Sequence, residues 1–424
     1  MQLTDDLVRS VVQQVVSQIG NGRASRSPQR NGSSHAWGAF QNAEPAIKAA
    51  VEAQREFERR GLEDRRKAIE CIRRICKEQA QTLGREELEE TKIGRLEHKI
   101  EKLQVVADRI PGVEWMKTQA FSGENGISLI EYAPFGVIGA ITPVTHSLPT
   151  LACNAINMLS AGNSLVCNPH PSGARIATKG TRLFNQAIYE AIGIDNLMTI
   201  VSEPTLESAQ AIFDHPDVRM LCVTGGPAVG RAALRSPKRA IVAGPGNPPV
   251  VVDETADLDN AARCIVEGGA YDNNLLCIGE KEVFAVESIF EELMQAMTRH
   301  KAVRLDAQQI DALTRAAFVK SNDNPNKLLV HKDFIGQDAA VLAQKAGFSV
   351  PADTLLLFGE TNENSPFVDH EQMMPFVPFV KAPNVDAAIA LAKKYEHGFC
   401  HTSIIHSRNV DTITRMGREM DTTL

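Results

Sequence analysis

The stretch APFGVIGAITPVTHSLPTLACNAINMLSAGNSLVCNPHP, residues 133–171, constrains the fold more than any other part of the chain. Short β-type runs at 136–142 and 163–167 flank a segment of helical periodicity. Strands that alternate with helical stretches are the βαβ signature, in which a helix between two strands returns the chain for parallel pairing. VRMLCVTGGPAVGRAALRS (218–236) and KRAIVAGPGNPPVVV (238–252) read as two further strand–turn–helix units. Upstream, EPAIKAAVEAQREFERR (44–60) and EDRRKAIECIRRICKEQAQTLGREELEETK (63–92) read as long charged helices. The expected fold is α/β, with parallel sheets covered by helices.

At 424 residues the chain has room for two or three domains, and a net charge of -7 gives no reason to expect a basic groove for nucleic acid. No uninterrupted apolar run is long enough to span a bilayer. The eight cysteines, Cys71, Cys76, Cys153, Cys167, Cys222, Cys264, Cys277 and Cys400, are scattered without a C-x-x-C pair, which suits a reducing compartment. No Cys/His cluster has metal-ligand spacing, so no metal is expected.

The N-terminus has a separate character. In LTDDLVRSVVQQVVSQI (3–19), Leu3, Leu7, Val8, Val11, Val12, Val15, Val16 and Ile19 fall on one helical stripe. Thr4 is placed to cap it, Asp5 and Asp6 suit the positive end of its dipole, and Gly20 can stop it. GNGRASRSPQRNGSSHA (20–36) has too few apolar residues to fold and reads as a flexible tether. A greasy helix on a tether either packs on its own domain or a sister subunit, or docks in another protein's groove. Arg9 is its one cation, which argues against a membrane surface.

Two places carry chemistry. The turn at Gly225-Gly226, between a strand and a helix, leaves free backbone N–H groups that can receive phosphate or ribose. In YDNNLLCIGEKEVF (271–284), Cys277 lies at a bend among small and amide residues, before an alternating run that begins a strand. It is either a packing residue or a nucleophile; Cys264, in the helical stripe AARCIVEGGA, is a rival that reads as core.

Together, EYAPFGVIGAITP, MLSAGNSLVCNPHP, VTGGPAVG, AGPGNPPVVVDETADLDNAA, NNLLCIGEK, EQMMPFVPFV and EHGFCHTSIIHS resemble the aldehyde dehydrogenase superfamily. The resemblance is closer to its CoA-acylating branch, the propionaldehyde and acetaldehyde dehydrogenases of bacterial microcompartments, and runs in order from residue 40 onward. It implies Cys277 as nucleophile, with NAD and coenzyme A as cofactor and co-substrate and a short-chain aldehyde as substrate. It implies an oxyanion held by the Cys277 N–H and by either Thr145 or His146. It implies cofactor contacts from Thr142, Pro143, Asn168, His170, Thr224, Gly225, Gly226, Gly230, Ala243, Gly244 and Glu371, the last through the nicotinamide ribose. His401 is a motif residue without an assigned task. The head resembles encapsulation peptides, implying docking to shell proteins through residues 1–19, a location in the microcompartment lumen, and a homo-oligomer.

The implied organisation is an amphipathic helix at 1–19, a linker at 20–40, a Rossmann-like NAD(H)/CoA-binding domain at 41–245 and a catalytic domain at 246–424. Relatives continue beyond the motif EHGFCHTSIIHS through further strands, so the C-terminal part is expected to be missing. Ala243 stands where hydrolytic relatives carry a water-activating glutamate, and Asn168 where they carry a lysine. Alanine cannot act as a base, which favours release by a thiol over release by water. The alternatives are a non-acylating dehydrogenase that releases carboxylic acid and a catalytically inactive shell-docking protein.

Overall fold

The computed structural model describes residues 36–321 and 328–424; the helix expected at 3–19 and the tether up to residue 35 lie outside the described residues. The chain opens with β1 (Ala39–Phe40), then four helices, α1 (Ala43–Phe57), α2 (Leu62–Glu78), α3 (Ala80–Thr91) and α4 (Leu96–Arg109). A hairpin, β2 (Gln119–Gly123) and β3 (Gly126–Ile130), precedes the run β4 (Val137–Thr142), α5 (Ser147–Ser160), β5 (Ser164–Pro169), α6 (Ala174–Ile192) and β6 (Met198–Val201). Then come α7 (Leu206–Asp214), β7 (Val218–Thr224), α8 (Pro227–Arg235) and β8 (Arg239–Ala243). Ala39 and Phe40, at the end of the expected linker, pair in parallel with Ile200 and Val201.

The first sheet has the order β1-β6-β5-β4-β7-β8, every pairing parallel. Its central strands β4, β5 and β6 are buried along their whole length because both faces are covered, whereas the edge strand β8 alternates exposed and partly buried residues. In β4, Val137 and Ile141 pack with Ala46, Ile47, Ile212 and Phe213, while Ile138 and Ala140 pack with Ile72, Leu148 and Leu151. Burying each such aliphatic chain contributes about 1.5–3 kcal/mol. From β4 the chain winds outward through β5 and β6, then returns to lay β7 on the other side of β4. That reversal opens a crevice at the carboxyl ends of β4 and β7, where ligands bind in open α/β sheets.

The second sheet is built from β9 (Pro249–Val252), β10 (Glu282–Val286), β11 (Ala302–Arg304), β14 (Leu356–Thr361), β15 (Phe376–Ala382) and β16 (Ile404–His406). It is also parallel, in the order β11-β14-β15-β10-β9-β16. Between its fourth and fifth strands in that order, the helix α9 (Leu258–Ala270) links β9 to a loop that delivers Cys277 and then enters β10. β12 (Phe318–Lys320) and β13 (Leu328–Val330) form a separate antiparallel pair.

Three sequence expectations are corrected. Residues 238–252 contain β8 and β9 joined by an irregular loop, with no helix, because Gly244, Pro245, Gly246, Pro248 and Pro249 deny a helix its backbone donors and rigidity. The long helix expected over 63–92 is broken at Gln79, whose φ of -106° and ψ of 11° end one helix and start the next. Cys264 is partly exposed on α9, with its thiol near Asn260, so it is not core. Among the described residues, no helix is long and apolar enough to cross a membrane.

Candidate active site

The residues singled out in sequence gather at strand ends. Thr142 closes β4, and Pro143, Thr145 and His146 form the turn into α5. Asn168 lies near the end of β5 and His170 just beyond it. Thr224 ends β7, Gly225 and Gly226 make the turn into α8, and Ala243 with Gly244 leaves β8. A Cβ at Gly226 or Gly244 would meet nothing within 4 Å, so these turns border open space. Gly230 serves packing: a Cβ there would stand 3.1 Å from Val242, which lets α8 lie close to β8. The Gly225 N–H donates to Ala243 O at 3.2 Å and Pro227 has none, so the Gly226 N–H and those of the first turn of α8 are the ones left beside open space at the topological switch, where they fit a dinucleotide phosphate. Other members of the set are occupied otherwise, His170 among them through Nδ1, which accepts the Ser172 N–H at 3.1 Å. The Asn168 carboxamide accepts from Ser208 Oγ at 2.5 Å and donates toward Thr205 O at 3.4 Å, tying β5 to the N-cap of α7. Thr142 Oγ1 is 3.7 Å from Cys167 Sγ in the sheet interior.

Cys277 lies on the second sheet's loop, half-buried. The approach to it is unusual. Asp272, Asn273 and Asn274 have φ of 48°, 57° and 63°, three successive left-handed residues without a glycine. Asp and Asn are the side chains that tolerate this region, and the conformation persists because each is tied down. Asp272 accepts from Arg95 N–H at 2.8 Å and pairs with Lys102 and with Lys99 at 3.4 Å. Asn273 donates to Gly336 O and Asp338 Oδ1, both at 2.9 Å, and accepts from Arg95 Nε at 2.7 Å. Asn274 donates to Gly269 O at 2.8 Å and Glu280 O at 2.9 Å.

The same buried charges reach the turn after β4. Lys99, with no exposed surface, donates to Thr145 O at 2.8 Å and lies 3.8 Å from Glu87 Oε1, which accepts the Ser147 N–H at 3.0 Å. Lys102 Nζ is 2.8 Å from His146 Nδ1. Burial brings the Lys102 ammonium down to about 8, against the pull of Asp272. An ammonium only donates, so Nδ1 accepts and the imidazole proton resides on Nε2. Burial and the charges of Lys102, Lys99 and Lys281 hold His146 well below the ordinary imidazole range, so it is neutral.

Around the thiol stand Glu371, Lys281, Gly246 and His401. Burial, then the Glu371 carboxylate, push the Cys277 thiol up, while Lys281 and the residue's own N–H pull it down. Glu371 is itself raised by burial, opposed by Lys281 and the Gly246 N–H. A Cβ at Gly246 would stand 2.5 Å from Cys277 O and 3.1 Å from the His401 ring, so the three meet at one point. Cys277, Glu371 and His401 thus gather on the second sheet, and the neutral His146 of the first is linked to the cysteine's loop through Lys102 and Asp272. Lys281, Lys99, Lys102 and Asp272 escaped sequence reasoning. The Asp-Asn-Asn run was the available signal, since it marks a left-handed turn just before the cysteine.

The model of the aldehyde dehydrogenase family matches residues 31–423. The acetylating acetaldehyde dehydrogenase EutE of Salmonella typhimurium is 42% identical over 391 residues, which cover 92% of this chain and 83% of the relative. A propionaldehyde dehydrogenase from the fucose utilisation microcompartment of Clostridium phytofermentans is 40% identical, with a TM-score of 0.87 over 91% of this chain and 87% of that one. The Rhodopseudomonas palustris propionaldehyde dehydrogenase, solved with bound coenzyme A and an acylated cysteine, is 39% identical, with a TM-score of 0.87 over 92% and 88%.

Proposed function

The chain belongs to the aldehyde dehydrogenase family, and from that premise we propose that it converts a short-chain aldehyde, coenzyme A and NAD to acyl-CoA and NADH. The observation that carries the proposal is a half-buried thiol, Cys277, held on an over-determined loop among a carboxylate, a lysine and a histidine, in a chain similar throughout to acylating enzymes.

Cys277, as thiolate, adds to the aldehyde carbon and forms a thiohemiacetal whose oxygen carries the negative charge. The Cys277 N–H and His146 Nε2–H are the donors to that oxygen; a neutral imidazole held in one tautomer donates without giving up its proton. Each donor of this kind contributes about 10²–10³ in rate. Hydride then departs from the same carbon with its electron pair, and the carbonyl re-forms as a thioester on Cys277. When bound, the nicotinamide supplies the acceptor for that hydride. The Gly226 N–H and the start of α8, beyond the Gly225 turn, would hold its phosphates, and Glu371 would take the ribose. Coenzyme A attacks as its thiolate, its proton lost to solvent; the new C–S bond forms as the bond to Cys277 breaks, and Cys277 leaves as thiolate. Ala243 offers no base to water at the head of this reaction, which leaves the second thiol as acceptor.

Residues 3–19 dock to microcompartment shell proteins, a reading supported by their apolar stripe and by the microcompartment origin of the Clostridium phytofermentans relative. Self-association is supported by the β2–β3 hairpin, where Phe121, Ile127 and Leu129 are 55%, 75% and 65% exposed. Propionaldehyde and NAD, given with and without coenzyme A, test the activity. NADH formation that requires coenzyme A supports it; brisk formation indifferent to coenzyme A would mean release by water.

A further inference from the structure

Lys281 has no exposed surface and follows Cys277 by four residues, at the entry to β10. Its Nζ meets three oxygens, Asn274 O at 2.7 Å, Leu276 O at 3.1 Å and Asn274 Oδ1. An ammonium has three protons to give, whereas a neutral amine has two and would turn its lone pair on an oxygen. Burial lowers the Lys281 ammonium, opposed first by Glu371, and the three oxygens favour its charged form. All three oxygens belong to the loop that delivers Cys277, and that loop leaves a turn of three left-handed residues which cannot hold its shape unaided.

We infer that Lys281 is a positioning residue for the thiol chemistry: its ammonium fastens Asn274 and Leu276 so that the Cys277 sulfur and N–H face the site together, and its charge stabilises the thiolate. The inference rests on Cys277 being the nucleophile. Among the described residues no acceptor takes the Cys277 N–H away from its own sulfur and the space before it. The charged and titratable groups around Lys281 are Cys277, Glu371, Glu280 and Glu282, and its charge is felt further out by His146 and His401. Glu371 opposes Lys281 at the sulfur, so the thiol is set by this pair acting on a group that burial would leave protonated.

The test is alkylation of Cys277 by iodoacetamide across a pH series, read on the Cys277 peptide by mass spectrometry. The wild type is compared with Lys281→Met, Lys281→Gln and Lys281→Arg, each checked for folding by its melting curve. Loss of the charge in the Met and Gln variants moves the midpoint of alkylation to higher pH and slows alkylation near neutral pH by about ten-fold or more. The Arg variant keeps the midpoint closer to wild type while kcat falls, since a planar fork cannot match the three oxygens. Should the Met variant not fold, the Gln variant decides, because its amide still satisfies loop carbonyls. Folded Met or Gln variants with an unmoved midpoint overturn the inference, even if they turn over slowly. Failure of the underlying reading shows separately, as turnover retained by Cys277→Ala.

Discussion

Gly246 is where three functional atoms crowd one Cα, and it makes the sharpest single-residue prediction. The Cβ of Gly246→Ala would displace either the Cys277 carbonyl, 2.5 Å away, or the His401 ring, 3.1 Å away. Misplacing a nucleophile by about 1 Å costs on the order of 10² in rate, so kcat should fall about that far while the melting temperature changes little. Steady-state kinetics beside a melting curve checks this, and wild-type kcat would mean the loop is less constrained than its contacts indicate. At this scale the sequence was only partly legible. Cys277 and Glu371 stood out through motifs, but Lys99 and Lys102 lie in LEHKIEKLQ, a charged helix that reads as solvent-facing. Lysines there become buried only because Asp272, 170 residues beyond Lys102, comes to meet them. His146 likewise declares its tautomer only through the position of Lys102 Nζ.

Among the elements, the turn of residues 272–274 joins the two sheets' environments, and two predictions belong to it. Asp272→Asn would leave Lys99 and Lys102 without their shared carboxylate. Removing one partner from a buried charge set costs about 3–5 kcal/mol, measurable as a loss of denaturation midpoint. Retained stability would place the compensating charge on Glu87 alone. The second concerns Glu280, which is 9% exposed and packed on Gly268. Burial pushes its carboxyl up to about 7. A carboxyl raised on folding binds its proton more tightly in the native state, so stability falls as pH rises from the unfolded value toward 7 and stays reduced above it. Glu280→Gln should therefore raise the free energy of unfolding at alkaline pH, by on the order of 2 kcal/mol, and leave it unchanged in acid. An equal gain at both pH values would contradict the assignment. Strands at 136–142 and 163–167 were readable because short β-type runs alternate there with helical stretches, and the structure places β4 and β5 there. The helix expected after 243 was not, because a Gly-Pro loop and a helix start share the same glycines.

At the level of the whole molecule, family membership and the α/β architecture were legible because motif order along the chain survives even where single motifs are weak. The meeting of His146 with the cysteine's loop was not, since it depends on how two sheets face each other. Deleting residues 1–19 should leave turnover within about two-fold of the full chain, because the site is assembled from residues beyond 80, while abolishing co-purification with shell proteins. Loss of folding would instead make those residues part of the catalytic body. The account as a whole turns on an acyl group passing through one sulfur to another. Mass spectrometry of the protein mixed with propionaldehyde and NAD, coenzyme A withheld, tests this most directly. A propionyl adduct on the Cys277 peptide that disappears when coenzyme A is added is the predicted result; an unmodified Cys277 during continued NADH formation would contradict it.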